Sequence, residues 1–431
     1  MVEQTAGWLA PSPEYARAVL SRLVLGLALV FVAAACTTDA GDQGTTTSSP
    51  ATTARETTTT TAEAVGEVQV TVDAGRIVVI DSEGQVAVMR PDGSQRVTVT
   101  DPDVEAIYTQ PIWSPGSDRV AFGLLTEDGF FIQVEDADGG ESTSIPVANN
   151  PFFMHWSPDG ERIGVLHNGS QGLDFQIADV STAEIEVVDM GSPFYFSWSP
   201  DGDRLAVHEG LDRFETIGLD GERSDLGTTG ANYLAPQWLP QGILHVVDDQ
   251  LVVEGESSRS VLADVESQTM FVANRQGSLV AVQSLGPVGQ SVSLAQTGPI
   301  ETNALAIVDI RAGTVEVIDR SPVVGLWWSP DGRSLLSLSP TSGGAALIAK
   351  VWSVDGGLTS YSSFGPSPIH ARDVFPFYPQ YAQSLTFWAP DSSGFAFAGE
   401  IEGRAGIWVQ ELDAPAPGFV TEGIWVAWSH E

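Results

Sequence analysis

One phrase recurs along this chain and constrains its fold more than any other feature. Trp-Ser-Pro-Asp-Gly stands at Trp156, Trp198 and Trp328. Relaxed copies begin at Trp113 (WSPGSDRVAF), Trp238 (WLPQGILHVV) and Trp388 (WAPDSSGFAFA), and a last one at Trp428 reads WSHE. Successive spacings are 43, 42, 40, 90, 60 and 40 residues. The gap of 90 calls for a hidden copy, and VANRQGSLVAV from Val272 fits, having lost its Trp, Pro and Asp. Eight copies then cover the 366 residues from 66 to 431, about 46 residues each. Such a chain is built by repetition of one small unit, not by one irregular core.

Each unit breaks into four short strands. Around Trp156, FFMHW runs into the turn Ser157-Pro158-Asp159-Gly160, followed by RIGVLH, FQIADV, a polar turn at Ser181-Thr182, and EIEVVD. Proline at the first central turn position and glycine at the end suit a tight turn between antiparallel strands. The alternating Val, Ile and Leu on either side read as half-buried strands. The polar turn between the outer two strands is a second marker, independent of the tryptophans. It appears at Pro91-Asp92-Gly93, Asp138-Gly139-Gly140, Ser181-Thr182, Asp220-Gly221, Gly255-Glu256, Ala312-Gly313, Asp355-Gly356 and Asp413-Ala414, again eight times. A 40–50-residue period with several strands per unit signals a β-propeller. The expected fold is all-β, with eight four-stranded antiparallel blades. Seven is the alternative, because the pattern is weakest between 238 and 328. At the start, GRIVVID, QVAVMR and QRVTVT have no Trp phrase before them; at the end, GIWVAWS has no unit after it. The two ends are therefore expected to share one blade, which removes an open edge. Val68 to Val72 either adds a short strand or leads in.

The phrase resembles the propeller repeat of TolB-like periplasmic proteins, and also occurs in the propeller domains of prolyl oligopeptidase-type peptidases. The resemblance covers residues 66–431 and implies a fold; its residues build turns and contacts between blades. The repeated tryptophans are accordingly read as structural. A peptidase would need a Gly-x-Ser-x-Gly elbow on an attached α/β domain, and the sequence contains no such motif.

The beginning of the chain reads as an address. Leu23 to Ala35 is a 13-residue apolar run preceded by Arg17 and Arg22, too short to span a bilayer, which takes about 20 residues. Basic flank, short apolar core and small residues at its end describe a secretory signal, residues 1–35. Ala33-Ala34-Ala35-Cys36 resembles the lipobox of bacterial lipoproteins, in which the cysteine is lipidated; Ala33 stands where that family usually has Leu. The polar stretch from Met1 to Ser21 is long for a signal, which leaves the true start open. Residues 37–62 hold 14 Thr or Ser in 26 positions and cannot bury enough apolar surface to fold, so 36–65 is read as a flexible tether. The expected location is the outer face of a cell membrane, through a lipid on Cys36, with secretion as the alternative.

Composition removes several chemistries. With 56 acidic and 19 basic residues the formal charge is -37, which repels phosphate backbones and argues against nucleic-acid binding. The acidic excess is spread through every unit and reads as solvation. The only lysine, Lys350, follows no Gly-rich loop, so a P-loop is excluded. One cysteine leaves no disulfide within the chain and no cysteine-based metal site. His155, His167, His208, His245, His370 and His430 form no His-Glu-x-x-His and no close pair. Asp136-Ala137-Asp138-Gly139-Gly140 and Asp201-Gly202-Asp203 lack the remaining ligands of a calcium loop and sit where turns are expected. No catalytic residue, metal or cofactor is assigned.

Two units are oversized. Residues 285–303 fall between the second and third strands of the Val272 unit, and 364–383 between the last strand of the Trp328 unit and the next inner strand. Both connections leave on the face opposite the Ser-Pro-Asp-Gly turns. The second insertion supplies the candidate binding residues Phe364, His370, Arg372, Asp373, Phe375, Phe377, Tyr378 and Tyr381, since aromatics with arginine are what protein contacts favour. Tyr108, Phe152, Phe194, Tyr195, Tyr233 and Trp425 lie at the entrances of other inner strands, so a plug packed across the channel is the competing reading. The expected function is a non-enzymatic binding scaffold with an envelope protein as partner. The alternatives are a sugar-acting hydrolase or lyase at the propeller mouth, where Asp373 and Glu422 lie, or an extracytoplasmic sensor for a membrane signalling protein.

Overall fold

A computed structural model describes residues 68–210, 213–227, 235–265, 269–284, 291–294, 298–301 and 304–431. The signal at 1–35, Cys36, the tether at 36–65 and Tyr233 lie outside the described residues. The chain from Val68 to Glu431 forms one compact unit and is a β-propeller. Among the described residues there are six four-stranded antiparallel sheets, one two-stranded hairpin and one seven-stranded sheet. The seven-stranded sheet joins the Trp328 unit to the Trp388 unit through only two residue pairs, Gly365 with Glu400 and Pro366 with Gly399.

The repeat phrase works as a turn for identifiable reasons. In the Trp156 unit, Gly160 N–H donates to the Ser157 carbonyl at 2.9 Å, and Gly160 adopts φ 72°, a conformation glycine reaches without strain. The Ser157 hydroxyl accepts the Arg162 N–H at 2.9 Å and donates to Asp159, whose carboxylate accepts the Glu161 N–H at 3.0 Å. The hidden copy performs the same task with different atoms. Asn274 Oδ1 accepts the N–H groups of Ser278 (2.9 Å) and Leu279 (3.1 Å), and Gly277 turns at φ 63°. Its strands, Thr269–Ala273 and Leu279–Ser284, pair as expected. Seven of the outer turns fall between the third and fourth strands of their units; in the Trp388 unit, which has three strands and only an isolated bridge from Trp388 to Phe395 on its inner side, Asp413-Ala414 falls between the last two.

The tryptophans clasp neighbouring units. Trp113, Trp198, Trp328 and Trp388 donate their indole N–H to the carbonyls of Ala427 (3.1 Å), His155 (3.2 Å), Val272 (2.9 Å) and Trp327 (2.9 Å). Each acceptor immediately precedes the Trp position of the preceding unit, which independently fixes Ala273 as the missing tryptophan. Arginines at the start of second strands cover the next unit's ring: Arg76 over Trp113 (5.4 Å), Arg119 over Trp156 (5.3 Å) and Arg204 over Trp238 (5.3 Å).

The two ends share one sheet, as the pattern requires. Ile77–Asp81 pairs with Gly423–Trp428, Ile77 opposite Trp428 and Ile80 opposite Trp425. Val68–Val72 forms no strand; it leads in, with the Thr71 hydroxyl donating to Glu411 at 2.7 Å.

Candidate functional site

Pro366 ends the fourth strand of the Trp328 unit (Gly357–Pro366), and the chain then crosses the mouth of the ring in three short turns. These are a π-helical turn over His370–Val374, a 3-10 turn over Phe375–Phe377 and one α-turn over Tyr378–Tyr381. Pro376 and Pro379 sit at the starts of the second and third turns, where a missing N–H costs nothing.

This segment is held from several sides. The Tyr381 hydroxyl donates to the Phe152 carbonyl and accepts the Gln110 side-chain N–H at 3.0 Å. Gln383 donates to the Pro236 carbonyl at 3.0 Å, and the Tyr378 hydroxyl donates to the Leu326 carbonyl. Trp327 meets the rings of Tyr378 (5.2 Å) and Phe387 (4.7 Å) edge to face, and His370 stacks on Trp425 at 4.9 Å. Units far apart in sequence are thereby tied together across the mouth. Burial raises the hydroxyl pKa of both tyrosines, so they act as neutral donors.

The eight candidate residues divide into two groups. Phe364 belongs to the strand, not the insertion, and packs on Phe397 at 4.2 Å. Phe364, His370, Tyr378 and Tyr381 are buried. Arg372 and Phe377 are exposed, Phe377 by 59%, while Asp373 and Phe375 are half-buried. Arg372 grips Asp373 with two hydrogen bonds of 2.7 and 2.6 Å. Glu422 is exposed in the turn before the last strand, and no hydrogen bond or ion pair joins it to Asp373. Of the other mouth aromatics, Tyr108, Phe194 and Trp425 are buried, and Phe152 and Tyr195 are half-buried. In the other insertion, Ser291–Leu294 pairs with Gly298–Glu301 as a hairpin near Arg259–Asp264; residues 285–290, 295–297 and 302–303 lie outside the described residues.

Under the segment, an apolar crevice is lined by Leu336, Leu338, Phe364, Phe375, Phe387, Phe395, Phe397 and His370. His370 Nδ1 lies 2.8 Å from the Ser367 hydroxyl, while Nε2 is buried without a partner. Burial pushes the imidazole down to about 4, so it is neutral. His245 is likewise pushed down to about 4 by burial, and His155 to about 4 by burial and then by His430.

The carboxylates with displaced proton affinity are all shifted downward. Asp92, Asp118, Asp179 and Asp201 are held low chiefly by hydroxyls of Ser94, Ser114, Ser181 and Ser199. Burial raises Asp189 and Asp319, but hydrogen bonds from Arg223 and Arg213, and from Lys350 at 2.6 Å, outweigh it. These are turn builders and ties between units. Among the described residues, no group of three His, Cys, Asp or Glu side chains is placed to hold a metal ion. For Phe364, His370, Tyr378 and Tyr381 the competing expectation of packed aromatics holds; the acceptors of the two tyrosine hydroxyls, which need partners once buried, were not foreseen.

No protein-family model and no curated protein matches the chain. Among solved structures, it is similar to a eukaryotic initiation factor at 14% identity, covering 82% of this chain and 98% of that one, with a TM-score of 0.53. TolB from Acinetobacter baumannii is 17% identical over 67% of this chain, with a TM-score of 0.40, and the match spans 64% of TolB. An oligogalacturonate lyase from Vibrio parahaemolyticus is 13% identical over 79% of this chain and 98% of its own, with a TM-score of 0.49. At these identities the likeness is one of fold.

Proposed function

We propose that this chain is an eight-bladed propeller, tethered by Cys36 to the outer face of a membrane, that binds another envelope protein without catalysing a reaction. The eight-blade count treats the seven-stranded sheet as two blades, each with its own Trp phrase. One observation carries the binding reading: a segment locked across the mouth by Tyr378, Tyr381 and Gln383 holds Arg372 and Phe377 out to solvent. Rigid presentation of an exposed aromatic and an exposed arginine on one short segment lowers the ordering cost of association.

The test is capture from crosslinked native membranes with the intact chain beside an Arg372→Ala/Phe377→Ala variant. Removing the whole segment would be a poor control, because its tyrosines are core residues. A single partner held by the intact chain and lost from the variant supports the reading. Equal capture by both sinks it, and turnover of a sugar polymer by the purified chain would establish the enzyme alternative instead.

A further inference from the structure

The apolar crevice beneath the mouth segment holds a polar atom that the fold leaves unused. The second strand of the Trp328 unit (Ser334–Pro340) brings Leu336 and Leu338 to this crevice, and the second strand of the Trp388 unit (Gly394–Ile401) brings Phe395 and Phe397. The mouth segment adds His370 and Phe375. Phe375 N–H donates to the His370 carbonyl, closing the π-turn, and the two rings stand 5.8 Å apart. Single π-turns of this kind recur at functional sites. Of the residues that line the crevice, only Phe375 is not buried.

His370 is held on two sides. Its face stacks on Trp425 at 4.9 Å, with 18° between the planes. Its Nδ1 lies 2.8 Å from the Ser367 hydroxyl, and Ser367 is anchored by its own N–H to the Ala398 carbonyl at 3.0 Å. The Ser367 oxygen already accepts the His370 N–H at 3.4 Å, so the hydroxyl proton has Nδ1 as its acceptor. Burial keeps the ring neutral; Nδ1 is therefore its bare nitrogen, and Nε2 carries the hydrogen. That N–H is buried without a partner, and the side chains lining the crevice around it are apolar. An unmade buried donor costs stability that an incoming acceptor would return. Water serves poorly here. The cavity is about 10 Å³, room for one molecule, and offers it little beyond that one N–H, where a buried water makes about three hydrogen bonds.

We propose that this crevice binds one small apolar ring bearing a hydrogen-bond acceptor, of the aryl ketone class, which accepts from His370 Nε2–H and fills the space of the Phe375 ring once that ring turns out to solvent. The acceptor follows from the unpaired N–H. The entry follows from Phe375 being the one wall that already meets solvent, and the space it vacates is that of one phenyl ring. An apolar cavity with a single placed polar group is the common form of a small-molecule site. The ties at Tyr378, Tyr381 and Gln383 stay in place, so the site stands or falls separately from the surface at Arg372 and Phe377.

The test uses the full chain with acetophenone and, separately, ethylbenzene, which keeps the ring and chain length without the oxygen. The imidazole resonances of the six histidines report where each probe sits, and the relaxation of the probe's own resonances gives its affinity. The expected result is a saturable shift at His370, with acetophenone bound about fivefold more tightly than ethylbenzene. Phe375→Ala, which makes the room in advance, should tighten both probes. His370→Phe should erase the difference between them. The remaining histidine resonances report that each variant is folded. No saturable shift at His370 in either the parent or Phe375→Ala overturns the proposal. A shift seen only in Phe375→Ala means that the ring does not yield, and overturns it as well. Equal affinity of the two probes for the parent removes the role of Nε2, and weaker binding by Phe375→Ala removes the entry at that ring.

Discussion

The ring is joined differently where its ends meet and where it passes the unit that lost its tryptophan. At the closing join, indoles dominate: Trp113, Trp425 and Trp428 donate to the carbonyls of Ala427, Pro111 and Ala74 at 3.1, 3.0 and 2.9 Å, and Trp425 and Trp428 are fully buried. Around Ala273 one indole remains, Trp328 donating to the Val272 carbonyl at 2.9 Å, and the rest of the work falls to amides. Gln237 donates to the Phe271 carbonyl (3.2 Å) and accepts the Ala273 N–H (2.9 Å); Asn274 donates to the Gly332 carbonyl (3.2 Å); Gln283 donates to Ser321 (3.1 Å) and accepts from Val323 (3.2 Å). Both joins satisfy the backbone between units, which is obligatory in a buried interface. Only the indoles also bury a large apolar surface, so the closing join should be the stronger.

The largest expected effect tests that ranking. Trp428→Ala leaves a cavity in a fully buried site and should cost about 3–5 kcal/mol, read as a lower midpoint in urea unfolding. A loss below about 1 kcal/mol would mean that the ends are held by the strand pairing of Ile77–Asp81 with Gly423–Trp428 alone.

Acid should loosen both regions through different histidines. His370 lies under the mouth segment against Trp425, and His245 lies in the Trp238 unit, its ring 4.2 Å from Phe214. Both fall from an ordinary 6.5 to about 4 in the folded chain. The unfolded chain therefore binds more protons between these values, and stability is present above pH 6.5 and lost as pH falls toward 4. Each group contributes a slope of at most about 1.4 kcal/mol per pH unit. The low-lying carboxylates, with an ordinary value of 3.8, act only below this window. Unfolding measured between pH 6.5 and 4.5 should lose about 2 kcal/mol for each of these two groups, and His370→Phe and His245→Phe should each flatten the curve. A flat curve for the parent chain would contradict burial of these imidazoles in neutral form.

At the amide join, Gln237→Leu keeps the volume but strands the Phe271 carbonyl and the Ala273 N–H. The expected cost is about 2 kcal/mol, the penalty of leaving buried partners unmade. If the variant matches the parent, the Trp-less join depends on its Leu239, Val280 and Val282 packing and not on its amides.

Much of this architecture was legible because a repeat states its own period. The Trp phrase and the outer polar turns counted the units separately, and the missing copy at Val272 could be placed although three of its signature residues were gone. Glycine and a serine-like acceptor survived there, since the turn needs a positive φ and a side-chain oxygen more than it needs proline. The mouth segment was less legible. Phe364, His370, Tyr378 and Tyr381 had the composition of a contact surface, but composition does not say which way a side chain faces. The deciding facts are the carbonyls of Phe152 and Leu326, which accept from the Tyr381 and Tyr378 hydroxyls and sit on strands far away in sequence.

The smallest expected effect asks whether an indole hydrogen bond matters at all to these joins. Trp113 and Trp156 are matched in almost every respect: 3% and 4% exposed, each at the head of a turn, each covered by an arginine at 5.4 or 5.3 Å. They differ in one atom. The Trp113 N–H donates to Ala427 at 3.1 Å, whereas the Trp156 N–H is buried without a partner. Phenylalanine at either position gives up similar apolar area and similar attraction to the arginine. Trp113→Phe additionally frees the Ala427 carbonyl, while Trp156→Phe removes a donor that had nothing to bond. Trp113→Phe should therefore be the more destabilising by about 1 kcal/mol, seen as a difference between two urea midpoints at equal slope. Equal losses would show that the tryptophans hold the ring by burial alone, and that the recurring indole clasp follows from the packing without adding to it.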